Sequence, residues 1–455
     1  MGRIARFFQL EAHGTTVRQD LLGGVTTFLA MSYIIFVQPG VLSQAGMDFH
    51  AVMTATCLAA ALATLLMGLV ANYPVALAPG MGENFFFVYT LCGVAPLGFG
   101  LTWQQALAAV LLAGIFFILL TLSGIRSKII NSIPHSLKIS IAAGIGLFIT
   151  LIGLEYGNLV VAAPGTLVRL GDFHHPVTLV TVLGVLIMIV LLSYRVRDAI
   201  LWGILATSSI AAVFGLLHYQ GIFSTDLHLA PTFWKFDLRG LIAVQPAKLA
   251  TAIFVLLYLA LFDTIGTLVG VGQQAGLMRE GKLLRADRAL FSDAVGTTVG
   301  AVAGTSTICC YIESAAGVSD GARTGLANMM TGLLLLGAMF FSPLAAMIGG
   351  GINVGPDAAN PIMRYPTLAP ALIVVGAMML KALRELQWDD PTEYIPAFLT
   401  LVGIPLTFSI ASGIALGFIS YAVAKLATGR ARECPVVTYI FAALFVVQFL
   451  VTQQG

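Results

Sequence analysis

The chain has 455 residues, 58% of them hydrophobic and 10% charged, with 23 basic and 21 acidic side chains and a formal net charge of +2. A soluble domain carries about 25% charged residues, so this composition excludes a water-soluble globule and calls for lipid as the main solvent. The near-neutral charge contains no basic run of the kind that binds nucleic acid, and no nucleic-acid partner is expected.

Residues 1–20 are polar and amphipathic rather than an apolar leader, so no cleavable signal peptide is expected and the first span starts near Asp20. Hydrocarbon about 30 Å thick needs roughly 20 apolar residues per helix. Stretches of that length are predicted at 20–41, 50–72, 74–92, 103–124, 135–156, 176–194 and 198–217. A second set follows at 247–272, 287–303, 305–320, 324–348, 366–383, 393–409 and 411–428. A last apolar stretch, 435–451, either spans or lies along the interface. The expected fold class is an all-α polytopic membrane protein of roughly fourteen transmembrane segments.

Orientation follows from the basic residues. With the N-terminus cytoplasmic, Arg169, Lys235, Arg239, Lys248 and Arg364 fall outside, and the other 18 of the 23, Arg126, Lys128 and Lys138 among them, fall inside. The five cysteines, Cys57, Cys92, Cys309, Cys310 and Cys434, have neither metal-ligand spacing nor a disulfide pattern, so free thiols are expected.

An internal repeat is visible. Gln44-Ala45-Gly46 recurs as Gln274-Ala275-Gly276, a shift of 230 residues (274 − 44) that also sets Tyr33 opposite Asp263 and Glu83 opposite Glu313. Seven spans separate the copies, so the second half is predicted to be inverted, as in many secondary transporters. The predicted units are 1–217 (spans 1–7), an outer connecting loop 218–246, 247–428 (spans 8–14) and a C-terminal apolar segment 429–455.

Two spans are poor helices. Pro74 to Gly82 holds two prolines and two glycines, which predicts an extended piece and then a short helix from near Gly82. Its counterpart, Ala303 to Glu313, is small and β-branched and is predicted helical from about Tyr311. Such paired interruptions free backbone groups that are tolerable only around a polar cavity, and they point to a midplane binding site.

Three acids fall at membrane depth: Glu83, Asp263 and Glu313. An ionised carboxylate there costs about 2.5 kcal/mol or more, so each is a functional candidate, set against the alternative of a carboxylate satisfied purely for packing. A planar heterocycle with alternating donors and acceptors suits this surrounding. Glu313 can accept two N–H bonds, Asn84 offers a donor and an acceptor, and the run Phe85, Phe86 and Phe87 offers one stacking face, with core or lipid packing for the rest. Asp263 can bind and release a proton, which would couple transport to a proton gradient.

At these residues the chain resembles the AzgA-like purine permeases of the nucleobase–cation symporter and nucleobase–ascorbate transporter superfamily. The resemblance runs from Glu11-Ala12-His13-Gly14 to Ser420-Tyr421 and rests on Ala78-Pro79-Gly80-Met81-Gly82, Phe262-Asp263-Thr264-Ile265-Gly266-Thr267 and Tyr311-Ile312-Glu313-Ser314-Ala315-Ala316-Gly317. Gly304-Thr305-Ser306-Thr307 resembles guanine/hypoxanthine-type members more than adenine-type ones. The resemblance implies proton-coupled import of a purine base, without a cofactor or metal, across a bacterial inner membrane. It implies a core of spans 1–4 and 8–11, a gate of spans 5–7 and 12–14, elevator-like movement and a homodimer. Substrate-site positions then match Asn84, Asp263 and Glu313, with Thr305 and Ser306 on the neighbouring strand and Glu83 and Phe85 beside the pocket. Proton coupling is expected at Asp263, Glu313 and Glu83.

The chain departs from the family pattern in two places. Gly82-Glu83-Asn84-Phe85-Phe86 stands where many members read Gly-Leu-Asn-Ala-Tyr/Phe-Phe, and Cys309-Cys310 stand where hydroxyl or small residues are usual. The competing readings are adenine, xanthine or a pyrimidine as cargo, an inorganic anion, and sodium as coupling ion. A membrane-embedded enzyme is disfavoured by the lack of a His cluster or Ser-His arrangement, His174 and His175 falling in an outer loop.

Overall fold

The computed structural model describes residues 3–93, 98–123, 134–163, 165–279, 282–355 and 362–452; Arg126 and Lys128 lie outside the described residues. The first half contains α1 (Val17–Met31), α2 (Ile34–Leu42), α3 (Phe49–Leu66), β1 (Leu77–Pro79), α4 (Met81–Phe85), α5 (Trp103–Leu122), α6 (His135–Tyr156), α7 (Pro176–Ser193) and α8 (Ala199–Val213). The second contains α9 (Pro246–Gln274), α10 (Ala286–Ala303), β2 (Ile308–Cys310), α11 (Ser314–Ser319), α12 (Gly325–Ala338) and α13 (Ser342–Gly349). It continues through α14 (Ala369–Met379), α15 (Pro391–Thr407), α16 (Ile410–Ala427) and α17 (Val436–Thr452). Short hairpins and single turns in the loops carry no label.

Among the described residues, eight helical segments are long and apolar enough to cross a membrane. Helix α7 shows why. It is apolar all round, and Leu179, Leu183, Leu186 and Ile189 remain exposed on it, a pattern stable only against lipid. The protein is a mostly helical, polytopic membrane protein.

Local sequence explains the interruptions. The first predicted span, 20–41, breaks between α1 and α2 at Ser32 and Tyr33. There the Ser32 hydroxyl donates back to the Leu29 carbonyl at 2.8 Å, offering that carbonyl an alternative to the helical ladder. Beyond Pro74, the chain runs extended through β1 and turns at Gly80 into α4. In the second half, the Tyr311 N–H is taken by the Ala76 carbonyl at 2.9 Å and extends the strand pairing, while the Tyr311 carbonyl accepts from the Ser314 N–H at 3.2 Å and opens the turn that leads into α11, the first N–H groups of a helix having no acceptor within it.

The helices form two packing groups. In one, α1, α3, α5, α9, α10 and α12 surround β1, β2 and the short helices. The start of α12 crosses the turn that continues α3 very closely: a Cβ at Gly325 would collide with the Gly68 carbonyl and lie 2.7 Å from Gly68 Cα. In the other, α6, α14, α15 and α16 pack together, with α7 and α8 alongside α14.

A polar cluster ties one end of the second group. Buried Lys425 lies 2.7 Å from Glu393, which also accepts from Tyr421 at 3.0 Å and Ser136 at 2.5 Å. Removing one member of a buried pair strands the other, at roughly 3–5 kcal/mol. Lys425→Met is therefore expected to lower unfolding stability in detergent by up to about that amount. A loss under about 0.5 kcal/mol, that of an ordinary surface change, would show that the cluster does not hold this end together. Nearby, the Arg430 guanidinium, with help from Thr392, holds the Asp390 carboxyl down at about 2. Its folded value is below the usual carboxylate value near ~3.9, so its stabilisation is complete above about pH 4 and is lost as pH falls through about 2. Unfolding midpoints taken down this acid range should fall less steeply in Asp390→Asn than in the unmodified protein; parallel curves would contradict the assignment.

Candidate functional site

The site is built on two strands that have no place in an ordinary membrane helix. β1 and β2 pair antiparallel, with Leu77 opposite Cys310, Ala78 opposite Cys309 and Pro79 opposite Ile308. A two-stranded ladder leaves both outer edges unpaired, which a membrane interior does not tolerate unless protein satisfies them. Helix side chains do so here. Thr64 of α3 exchanges hydrogen bonds with the Leu77 N–H and carbonyl at 2.9 and 3.1 Å, and Asn328 of α12 donates to the Val75 carbonyl at 2.7 Å. On the other edge, Thr297 of α10 donates to the Ile308 carbonyl at 2.8 Å. The strands are thus fixed in place, and so are the residues that follow them.

Glu83 is fully buried in α4, and neither carboxylate oxygen has a hydrogen-bond partner among the described residues. It folds back over Gly80, where a Cβ would run into the carboxylate and come within 2.7 Å of Cys309 Sγ. Only glycine leaves that space. Asp263, half-buried in α9, faces the same point, with Cys309 Sγ donating to its Oδ2 at 3.9 Å. One oxygen from each acid and the thiol lie within 4.8 Å of one another, a donor set able to hold a proton or a cation. Behind Asp263, Thr264 donates to buried Asp293 of α10 at 2.6 Å.

Glu83 and Asp263 line a cavity of about 30 Å³ together with Gly82, Tyr258 and Leu259. Its other wall is Lys138, Ile141, Ala142 and Ile145 of α6 and Met379 of α14. The cavity therefore lies on the boundary between the two helix groups. Lys138, expected from the sequence only as one more inner-side charge, is on the α6 wall of this cavity. Glu313 does not line this cavity; it precedes α11, and the Tyr33 hydroxyl donates to its Oε1 at 2.7 Å. The Tyr33 and Tyr311 rings lie 6.4 Å apart, and Tyr311 donates to the Pro79 carbonyl at 2.6 Å.

Asn84, Ser306 and Thr305 are brought together by a residue that the motifs do not single out. Buried Gln38 of α2 donates from Nε2 to Thr305 at 3.0 Å and to Ser306 at 2.9 Å, and Ser306 donates in turn to Asn84 Oδ1. Thr56 of α3 joins Thr305 at 3.1 Å. A glutamine in the apolar run Ile34 to Leu42 is the one local signal of this role, since intramembrane polar groups demand partners. Phe85 is also buried, but its ring stacks on Tyr89 at 6.1 Å and meets Phe148 edge-on at 6.3 Å, away from the Glu83–Asp263 cavity.

Broken, cross-paired segments carrying buried acids, inside a multi-pass helical bundle, define a membrane transporter. The chain belongs to the Permease family Xan_ur_permease, whose profile matches residues 18–416. It is 42% identical over 456 residues to the guanine/hypoxanthine permease PbuG of Bacillus subtilis (strain 168), covering 98% of this chain and 99% of that protein. It is also 42% identical over 450 residues to the adenine permease AdeQ of Escherichia coli (strain K12), covering 99% and 96%. In fold it is similar to the transmembrane domain of the cyanobacterial bicarbonate transporter BicA, with a TM-score of 0.64 at 18% identity over 87% of this chain and 97% of that one. The resemblance read from the motifs holds, and the chain is a transporter rather than an enzyme.

Proposed function

We propose that this protein imports a purine nucleobase, hypoxanthine or guanine, by proton symport. The observation that carries the reading is the meeting of Glu83 and Asp263 at a cavity bounded by the other helix group, beside Glu313 and the Asn84–Ser306 hydroxyl chain. An ionised carboxylate at Glu313 accepts hydrogen bonds, which matches the ring N–H of hypoxanthine and the paired N–H groups of guanine. Ser306, itself held by Gln38 alongside Thr305, fixes Asn84 so that its amide group can meet another ring edge. Asp263, Glu83 and Glu313 are the proton-coupling candidates.

A cavity of about 30 Å³ holds about one water-sized occupant, so a base needs α6 to separate from α4 and α9. That requirement favours relative movement of the two helix groups, as core (spans 1–4 and 8–11) and gate (spans 5–7 and 12–14) of a fourteen-span, seven-plus-seven inverted fold moving elevator-fashion. The distribution of basic residues supports a cytoplasmic N-terminus in a bacterial inner membrane, and the gate of such a fold suits a homodimer interface. Adenine is the second reading, favoured by the equal identity to AdeQ; its amino group and ring nitrogen demand one donor and one acceptor in place of two acceptors.

The test is uptake of labelled hypoxanthine into proteoliposomes under an inward proton gradient, with guanine, xanthine, adenine and uracil as competitors. Gradient-driven uptake blocked best by oxopurines supports the proposal. Adenine as the strongest competitor would transfer the assignment to the second reading. No competition by any base, from protein shown to be inserted, would remove the purine reading.

A further inference from the structure

Resting on the purine reading above, we propose that Gln38 decides which purine the site accepts. Through Ser306 it fixes the Asn84 amide with its N–H₂ group free, a donor that matches a 6-oxo purine and opposes a 6-amino one.

The direction of the hydrogen bonds carries this. Gln38, Thr305, Ser306 and Asn84 are all fully buried, so none can turn to water for a partner. The Gln38 amide has two N–H donors and one carbonyl oxygen. Two hydroxyls stand against its Nε2 end, Thr305 at 3.0 Å and Ser306 at 2.9 Å, so both donors are used. Its Oε1 has no partner among the described residues. Turning the amide over would give Oε1 the two hydroxyls and strand two donors in place of one acceptor. Each stranded buried group costs its desolvation, so the surroundings select the observed sense.

Asn84 inherits that sense. A hydroxyl has one proton to give. Ser306 accepts from Gln38 and gives its proton to Asn84 Oδ1. The Asn84 oxygen is thereby engaged, and Nδ2 keeps only the Met81 thioether at 4.0 Å, a weak acceptor. Thr56 steadies the other arm, 3.1 Å from Thr305. The chain thus runs donor to acceptor from α2, through the residues before β2, to α4, and it ends in unspent N–H donors. With the opposite sense Asn84 would offer its oxygen instead.

A free N–H₂ complements the C6 carbonyl oxygen of hypoxanthine or guanine, whereas adenine carries an N–H₂ donor at that position. Donor would then face donor. Glu313 accepts and Asn84 donates, which is the pattern of the ring N–H and the neighbouring carbonyl of an oxopurine. Gln38 need not touch the base; it is a positioning residue that acts through Ser306.

The experiment is equilibrium binding of labelled hypoxanthine and labelled adenine to the purified full chain, read as the ratio of their Kd values. The unmodified protein should bind hypoxanthine about tenfold or more tighter than adenine, the discrimination of one well-placed polar contact. In Gln38→Met, Ser306 receives no donor and Asn84 can present either end, so the preference should fall by about tenfold. Ser306→Ala cuts the same link and should lower the preference equally. Adding Gln38→Met to Ser306→Ala should change the ratio no further, because the two act on one path. If Gln38→Met fails to insert, Gln38→Leu makes the same comparison, and Ser306→Ala does so independently of position 38. A merely structural role would weaken both bases together and leave the ratio unmoved, which overturns the inference. Tighter binding of adenine by the unmodified protein overturns it as well. Binding of neither base by folded, unmodified protein would instead bring down the purine reading itself.

Discussion

Glu313→Gln is expected to weaken hypoxanthine binding and uptake by roughly 10- to 100-fold while leaving the protein folded. Hydrogen bonds to charged groups contribute about 1.5–3 kcal/mol, and about 1.4 kcal/mol is a factor of ten in affinity. The substitution is a close test because the local structure survives it. The amide oxygen can still accept from Tyr33, which now donates to Glu313 Oε1 at 2.7 Å. What changes is the second oxygen, which becomes an N–H₂ donor and meets a ring N–H donor to donor. Binding isotherms and initial uptake rates should therefore fall together, with thermal stability close to that of the unmodified protein. Binding within about threefold of normal, less than the ~1 kcal/mol expected of even a neutral hydrogen bond, would take Glu313 out of the recognition site. Adenine offers a contrasting reading of the same variant, since its ring nitrogen accepts where hypoxanthine donates. A relative gain for adenine would identify Glu313 as the residue that favours oxopurines.

Asp263→Asn is expected to abolish accumulation driven by the proton gradient while exchange continues. For one proton per base, each unit of pH gradient supports up to about tenfold accumulation; the variant should settle near about 1. The geometry explains why the loss should be complete. Asp263 is the acid that both lines the cavity and accepts from Cys309 at 3.9 Å, and Glu83 has no other described partner for its two oxygens. An asparagine at 263 would donate to Glu83 permanently and hold it as a fixed carboxylate, so no proton is taken up or released. Full gradient-driven accumulation by Asp263→Asn would remove the pair from coupling and leave Glu313 as the remaining candidate.

The two variants separate recognition from coupling, and the separation reflects how the site is divided. Glu313 and Tyr33, and the Gln38–Ser306–Asn84 chain, are groups joined to one another by hydrogen bonds. Glu83, whose two oxygens lack a described partner, and Asp263 lie at the boundary between the two helix groups. Hydrogen-bonded buried groups rigidify a site, whereas a carboxylate lacking a donor, as Glu83 does among the described residues, responds to a proton or cation that reaches it.

The amino-acid sequence by itself determined that the chain lives in a membrane, because 10% charge cannot solvate 455 residues. It also determined where the helices break and which acids are out of place, because proline, glycine and carboxylates carry their costs locally. Ala78 to Gly82 and Tyr311 to Gly317 could be read as special without knowing what lay next to them. The tertiary structure alone decided who meets whom. That Thr64, Asn328 and Thr297 close the strand edges, that Gln38 holds Ser306, and that Tyr33 rather than a cation meets Glu313 depends on contacts between residues up to 280 positions apart. The switch from strand to helix at Tyr311 has the same origin, its N–H bound across to the Ala76 carbonyl and its own carbonyl accepting from Ser314. Lys138 makes the point most sharply. On the sequence it is one more basic residue near a helix end, and only the packing of α6 against α4 puts it on the wall of the cavity that Glu83 and Asp263 also line, since burial and proximity are properties of the packed chain and leave no local trace.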